Sequence, residues 1–199
     1  MGNGEKEEHL VAYIQNFEKH IVLTDIEKEM IASYLKFWTV PRREVVLSQG
    51  NKVKDIFFVV SGAIRAYHLD SKGKESTIMF AVKDWWITDM NGFAHQDLAQ
   101  VSLETLKNSN LIALGYEDFE VLLKRVPKLE RFFRILFQRA YIREQSRMLR
   151  QLSMDVSTRY TAFVEKYPNI MAAIPQKQMA SYLGVTPEFL SQVKKRYDS

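Results

Sequence analysis

Near the end of this 199-residue chain a carboxylate and an amide, Glu188 and Gln192, stand one helical turn apart, and three cations follow at once, Lys194, Lys195 and Arg196. On one helix face such a set suits a base-paired polyanion. A carboxylate accepts from the amino group of cytosine and an amide pairs with adenine. Cations there meet phosphates, which gives affinity without sequence information. The same cations would also favour the negative end of any helix dipole, so a second signal is needed, and the charge distribution supplies one. Residues 1–127 hold 15 Lys and Arg against 18 Asp and Glu, whereas residues 128–199 hold 13 against 6, so a modest overall +4 hides a basic C-terminal half. That asymmetry is what electrostatic docking onto a polyanion requires.

To face outward together, those side chains need a helix braced by another. Pro175 can open a first helix with Met179, Ala180 and Leu183 on its apolar side, and Gly184 sits where a left-handed cap is wanted. Thr186 then reads as the N-cap of a second helix with Pro187 at its first position, and Phe189, Leu190 and Val193 form its inner side. A small residue at Ala180, a turn at Gly184 and an anchor at Leu190 make the helix-turn-helix spacing. Gln176, Lys177, Thr186, Pro187 and Ser191 complete the candidate DNA-binding face. The plain alternative is a helical hairpin in a packed core, or a tail that docks on protein instead of DNA; the basic outer face argues against both, and only DNA binding predicts a steep salt dependence.

Upstream, two helices are expected over 5–20 and 24–37, the second opened by a capping box at Thr24-Asp25-Ile26-Glu27. From Phe37 short β-type runs separated by turn residues continue to Leu114, among them Asp55–Val60 and Ala63–Leu69 around Ser61-Gly62, a spacing that predicts a β-barrel or jelly roll. A short helix over 117–124 and a long one from Pro127 to Leu152 follow. Leu129, Phe132, Phe133, Leu136 and Ala140 recur along the long helix at helical spacing, more apolar surface than a small barrel needs, so a dimer seam is predicted there, with intramolecular core as the competing use. Ser153-Met154-Asp155 breaks the run, and Asp155 can cap a further helix from Val156 to Tyr167. The expected organisation is therefore 1–126 as a roll with N-terminal helices, 127–152 as a dimerisation helix and 153–199 as a DNA-binding domain, an α+β chain.

A β-roll, a long helix and a helix-turn-helix in this order resemble the Crp/Fnr family of bacterial transcription regulators, the relatives of the catabolite activator protein. The carriers are Asp55-Ile56-Phe57-Phe58-Val59-Val60-Ser61-Gly62-Ala63-Ile64-Arg65, similar to the family's strand-glycine-strand signature, and Ile174 to Lys195, similar to its DNA-binding motif. The resemblance implies a cyclic-nucleotide-binding-type roll, a homodimer along the long helix, double-stranded DNA bound by the second helix of each subunit, and RNA polymerase as a partner. The Ala-Ser-Tyr-Leu-Gly-Val-Thr-Pro-Glu run and a short end at Ser199, with little or no wing, look like the family's Bacteroidetes-type branch. Two departures matter. Where cyclic-nucleotide binders carry a Gly-Glu-x-Gly loop followed by Arg-Ser, this chain has Thr88-Asp89-Met90-Asn91-Gly92-Phe93 and Ala99-Gln100, so a phosphate there would meet Asp89 and cyclic AMP in the usual mode is not expected. A different ligand stays open, with Trp86, Asp89, Asn91, Phe93 and Gln100 as the candidate pocket and core packing as the alternative for its aromatics. On the reading helix, positions where family members often carry arginine, glutamate and arginine look here like Pro187, Glu188 and Gln192, so a partly different operator is expected.

With no cysteine, thiolate metal sites, cysteine-ligated iron–sulfur clusters and thiol sensing are excluded. His9, His20, His68 and His95 lack metal-ligand spacing, and neither a phosphate-binding glycine loop nor a serine elbow occurs. Neither an enzyme nor a metal or cofactor is expected. No apolar run approaches a membrane span, and the first residues lack the basic and apolar regions of a signal peptide, so a cytoplasmic protein is expected.

Overall fold

Alternation of apolar and polar residues pairs the short β runs into two antiparallel sheets packed face to face. In the computed structural model, which describes residues 2–171 and 173–197, the strands are β1 (Lys36–Val40), β2 (Val45–Leu47), β3 (Asp55–Ser61), β4 (Ala63–Leu69), β5 (Glu75–Val82), β6 (Trp86–Ile87), β7 (Ser102–Thr105) and β8 (Ser109–Gly115). One sheet has the order β1-β8-β3-β6 and the other β2-β7-β4-β5. Between them Phe57, Val59, Ile64, Ala66, Leu103 and Leu111 interdigitate. Gly62, in the tight connection between β3 and β4, has φ +93°, and a Cβ there would collide with Ser109, so only glycine fits.

The first sheet is covered on its other face as well, which explains why β3 is apolar without alternation. Helix α1 (Asn3–Glu18) lays Tyr13 and Phe17 on Phe58 and Trp86, and Phe132 and Phe133 of the long helix α5 (Lys128–Ser153) close the same aromatic cluster. Helix α2 (Asp25–Ala32) starts with the expected capping box: the Glu27 carboxylate accepts from the Thr24 N–H at 2.7 Å while the Thr24 hydroxyl accepts from the Glu27 N–H. Lys128 donates to the same carboxylate, tying α2 to the start of α5. The helix expected to reach residue 37 stops at Ala32, because Lys36 and Phe37 pair with Ala113 and Ile112. Helix α3 (Met90–His95), read from sequence as a loop, is capped by Asp89, and α4 (Tyr116–Arg125) leads into α5.

Asp55, at the mouth of the roll, carries a raised pKa: burial penalises its charged form more than Lys36 at 3.9 Å and Lys54 favour it. A carboxyl whose native pKa is raised binds its proton more tightly folded than unfolded. Stability should therefore fall as pH climbs from the ordinary carboxylate range through the raised value, and level off above it. Asp55→Asn is expected to flatten that slope and raise the melting temperature at pH 7, read by calorimetry across pH.

Candidate nucleic-acid interface

Beyond α5 the chain folds into α6 (Val156–Lys166), α7 (Pro168–Met171), α8 (Gln176–Leu183) and α9 (Pro187–Tyr197). Helix α5 ends where Met154 turns extended, and Asp155 caps α6 by accepting from the Thr158 N–H at 2.8 Å. The turn between α8 and α9 is made as its residues dictate. Gly184 takes φ 75° at the end of α8, and Thr186 accepts from the Phe189 N–H at 3.2 Å to open α9 behind Pro187. Ala180, Leu183, Leu190 and Val193 are buried where the two helices cross, together with Tyr160 and Phe163 of α6.

The outward face of α9 then carries Glu188, Phe189, Gln192, Lys195 and Arg196, all exposed, with Lys194 half-buried beside them. Phe189 had been expected inward. It is 46% exposed, since the side of α9 facing α8 has room only for Leu190 and Val193. An exposed apolar ring next to Glu188 is of the kind that can meet a thymine methyl. Gln176 and Ser191, placed on the same candidate face, are turned on each other: the Gln176 amide donates to the Ser191 hydroxyl at 2.5 Å and to the Pro187 carbonyl at 3.0 Å. They brace the angle between α8 and α9. Lys177 and Thr186 stay exposed at the two helix starts.

The helical unit rests on the outer face of the second sheet. Phe80 packs on Tyr182 and Phe163, with ring centroids 5.2 and 6.4 Å apart. At the free edge of that sheet Ser181 of α8 accepts from the Thr77 N–H at 2.9 Å and donates to the Glu75 carbonyl at 3.0 Å, satisfying both edge groups of β5. Burial raises the Tyr182 hydroxyl pKa against the opposing pull of Arg147, whose guanidinium lies 5.3 Å from the ring centre.

A sequence model of the cyclic nucleotide-binding domain matches residues 37–126, which are the two sheets with α3 and α4. The transcriptional activator protein Anr of Pseudomonas aeruginosa is 23% identical over 168 residues, 77% of this chain and 67% of its own. Electron transport regulator A of Shewanella oneidensis is 22% identical, covering 79% of this chain and 67% of its own. Among solved structures, the catabolite activator protein of Thermus thermophilus superposes with a TM-score of 0.56 at 21% identity, over 87% of this chain and 83% of its own. FixK2 of Bradyrhizobium japonicum reaches 0.70 at 15%, over 81% and 83%. Residues 37–126 thus match the cyclic nucleotide-binding domain, and the chain as a whole is similar to Crp/Fnr-type transcription regulators.

Two expectations tied to that resemblance differ in the structure. The first concerns the ligand pocket. Trp86, Asp89, Asn91, Phe93 and Gln100 do not line one cavity: Trp86 is buried against α1 and α5 with its indole N–H donating to Asn16, Phe93 is buried against Tyr116 and Phe119, and Asn91 and Gln100 are exposed. Asp89 is buried and its carboxylate accepts from the backbone N–H groups of Gly92, Gln100 and Val101 at 3.1, 2.6 and 3.2 Å. Backbone donors that a bound anion could use are thus taken by a carboxylate of the chain itself.

The second concerns the seam. Leu129, Phe132 and Phe133 are each at most 3% exposed and belong to the chain's own core, with Leu136 packed against it and Ala140 half-buried. The first half of α5 must cover the first sheet, which is why its stripe is so apolar. The unpartnered stripe lies in the second half: Tyr141, Ile142, Met148, Leu149 and Leu152 are between 58% and 81% exposed. Arg143, Arg147 and Arg150 share that half, but the apolar residues fall on another side of the helix, recurring at intervals of three, four and seven. Among the described residues no cluster of His, Asp or Glu is placed to hold a metal ion, and no helix is long and apolar enough to cross a membrane.

Proposed function

We propose that this chain is a DNA-binding transcription regulator that acts in the cytoplasm as a homodimer, inserting α9 of each subunit into the major groove at an inverted repeat, with RNA polymerase as a further partner. The supporting observation is the outward face of α9, where Glu188, Phe189 and Gln192 stand free of the α8 contact with basic residues behind them. Glu188 accepts from cytosine, Gln192 pairs with adenine, Phe189 meets a thymine methyl, and Lys194, Lys195 and Arg196 meet phosphates. Residues 153–199 serve as the DNA-binding unit and 1–126 as the sensor. Two-fold symmetry sets the half-sites about one turn of DNA apart, roughly 34 Å. Cyclic AMP in the family's usual mode is not a ligand, because Asp89 already occupies the backbone donors of its loop.

Selection of sites from random duplex DNA at two salt concentrations tests this reading. An inverted repeat should emerge, and its affinity should fall steeply with salt. Salt-insensitive or absent binding would favour a tail that docks on protein. Lys195→Ala should weaken all duplexes about equally and lower the salt slope by about one, whereas Glu188→Ala should relax preference at one base pair by about 1–3 kcal/mol. Competition binding against single-base variants of the selected site separates the two.

A further inference from the structure

On the side of α5 opposite its exposed apolar stripe stand Arg147 and Arg150, one turn apart, and α6 sets Arg159, Ala162 and Lys166 against them at intervals of three and four, which is one helix face. Between the two faces lies a cleft of about 30 Å³, walled also by Tyr182 and Leu183 of α8. That is room for about two waters or one small tetrahedral anion. The charge in it is one-sided: Arg147, Arg150 and Arg159 are half-buried along it, Lys166 is exposed at its rim, and no carboxylate is among its walls. Arg143 also reaches it but is turned to Trp85 and Met79. The two carboxylates close by are committed. Glu144 accepts from Arg147 at 2.9 Å and from Arg143 at 3.4 Å. Asp155 accepts from the Thr158 N–H, the largest of the effects that hold its carboxyl below the usual range, and Arg159 adds only a minor pull. The Arg150 side chain makes no hydrogen bond or ion pair among the described residues, and the Nε of Arg159 is shut from solvent without an acceptor. Packing accounts for Arg147, which lies on the Tyr182 ring, but not for the other two. Like charges at this spacing repel, and a buried donor without an acceptor adds to the cost. An anion in the cleft removes both.

We propose that this cleft binds a tetrahedral oxyanion of the phosphate type, free or as the phosphate group of a small phosphomonoester, gripped by Arg150 and Arg159 with Arg147 and Lys166 beside them. Guanidinium groups meet phosphate oxygens in pairs, through two parallel N–H bonds each, so the site selects a tetrahedral dianion over chloride. A DNA duplex is not the occupant. The cleft admits one phosphate group whereas a duplex presents a continuous row, and no described residue of α9 lines it. The site therefore stands whether or not α9 reads DNA.

Isothermal titration of the full chain without DNA, in chloride buffer of fixed ionic strength, tests the site with inorganic phosphate and glycerol 3-phosphate as probes. Phosphate should bind with a Kd of about 1 mM or tighter. Arg150→Gln and Arg159→Gln should each weaken it at least about tenfold and together abolish it, with circular dichroism confirming the fold. Arg134→Gln, which removes an exposed cation near the start of the same helix, should change nothing. Melting separates a binding site from a structural role. Without phosphate, Arg150→Gln should melt no lower than the parent, because its removal relieves repulsion. At about ten times its Kd, phosphate should raise the melting temperature of the parent by roughly 3–6 °C and leave the double variant unmoved. Glycerol 3-phosphate binding as tightly as phosphate assigns a phosphomonoester, and phosphate binding alone assigns the free anion; either upholds the site. No saturable heat with either probe, binding that survives the double substitution, or a melting temperature that falls in Arg150→Gln without phosphate overturns the proposal.

Discussion

If the proposed dimer forms along the second half of α5, Leu149→Glu combined with Leu152→Glu should leave the chain folded, give a monomer in analytical ultracentrifugation, and lower affinity for the selected inverted repeat by about a hundredfold or more. Both side chains are exposed, at 58% and 81%, so the substitutions remove little burial within the subunit and a thermal melt should show little change. In the proposed dimer, what they remove is the linkage of two recognition helices. Each α9 alone binds its half-site weakly; joined along α5, the second binds at the effective concentration set by the first. A duplex with a single half-site should therefore lose far less affinity in the variant than the full repeat does. A variant that stays dimeric would place the interface elsewhere. Phe132→Ala provides the contrast, since a core aromatic beside Phe17 and Trp86 should cost about 3–5 kcal/mol of folding stability.

That pair of outcomes shows how unevenly the sequence can be read. Elements whose signals are local came through: the capping box at Thr24, the turn at Gly62, the left-handed cap at Gly184 and the Thr186-Pro187 helix start all adopt the geometry their residue types demand. Which apolar surface is covered, and by what, is not local. Leu129, Phe132 and Phe133 read as surplus because the sheet they cover is remote in sequence, and the exposed apolar residues from Tyr141 to Leu152 were not singled out, because arginines share their turns. Contacts between remote side chains follow the same rule. Trp85 and Arg143 are 58 positions apart, and no spacing announces that a guanidinium from one helix will lie on an indole from a strand connection. Asp89 marks an intermediate case. Its mismatch with a phosphate was legible from residue type, but that it closes the loop by accepting three N–H groups needed the fold.

Arg65→Met should lower folding stability by about 3 kcal/mol, a drop in melting temperature of roughly 6–12 °C for a chain of this size. Arg65 of β4 is 5% exposed in its side chain and donates to Glu104 and Glu75, each at 2.6 Å, while its guanidinium lies 4.1 Å from the Tyr67 ring centre. Removing it leaves the Glu104 carboxylate, at 18% exposure, facing a second carboxylate with no cation between them. The desolvation of two anions, not the lost attraction, supplies most of the effect. The decisive variant is therefore the triple change Arg65→Met, Glu75→Gln, Glu104→Leu: with the charges gone together, stability should return to within about 1 kcal/mol of the parent, because apolar packing replaces a buried ion group at little net cost. If the triple variant is as unstable as the single one, the arginine acts by packing and the charge argument fails. The single variant should also reach the DNA-binding helices. Glu75 supplies the backbone carbonyl that holds Ser181, so a β5 edge disturbed by an unpaired Glu75 side chain should expose the α8 seat, and the amide of Thr77 should lose protection from hydrogen exchange before the amides of β8 do.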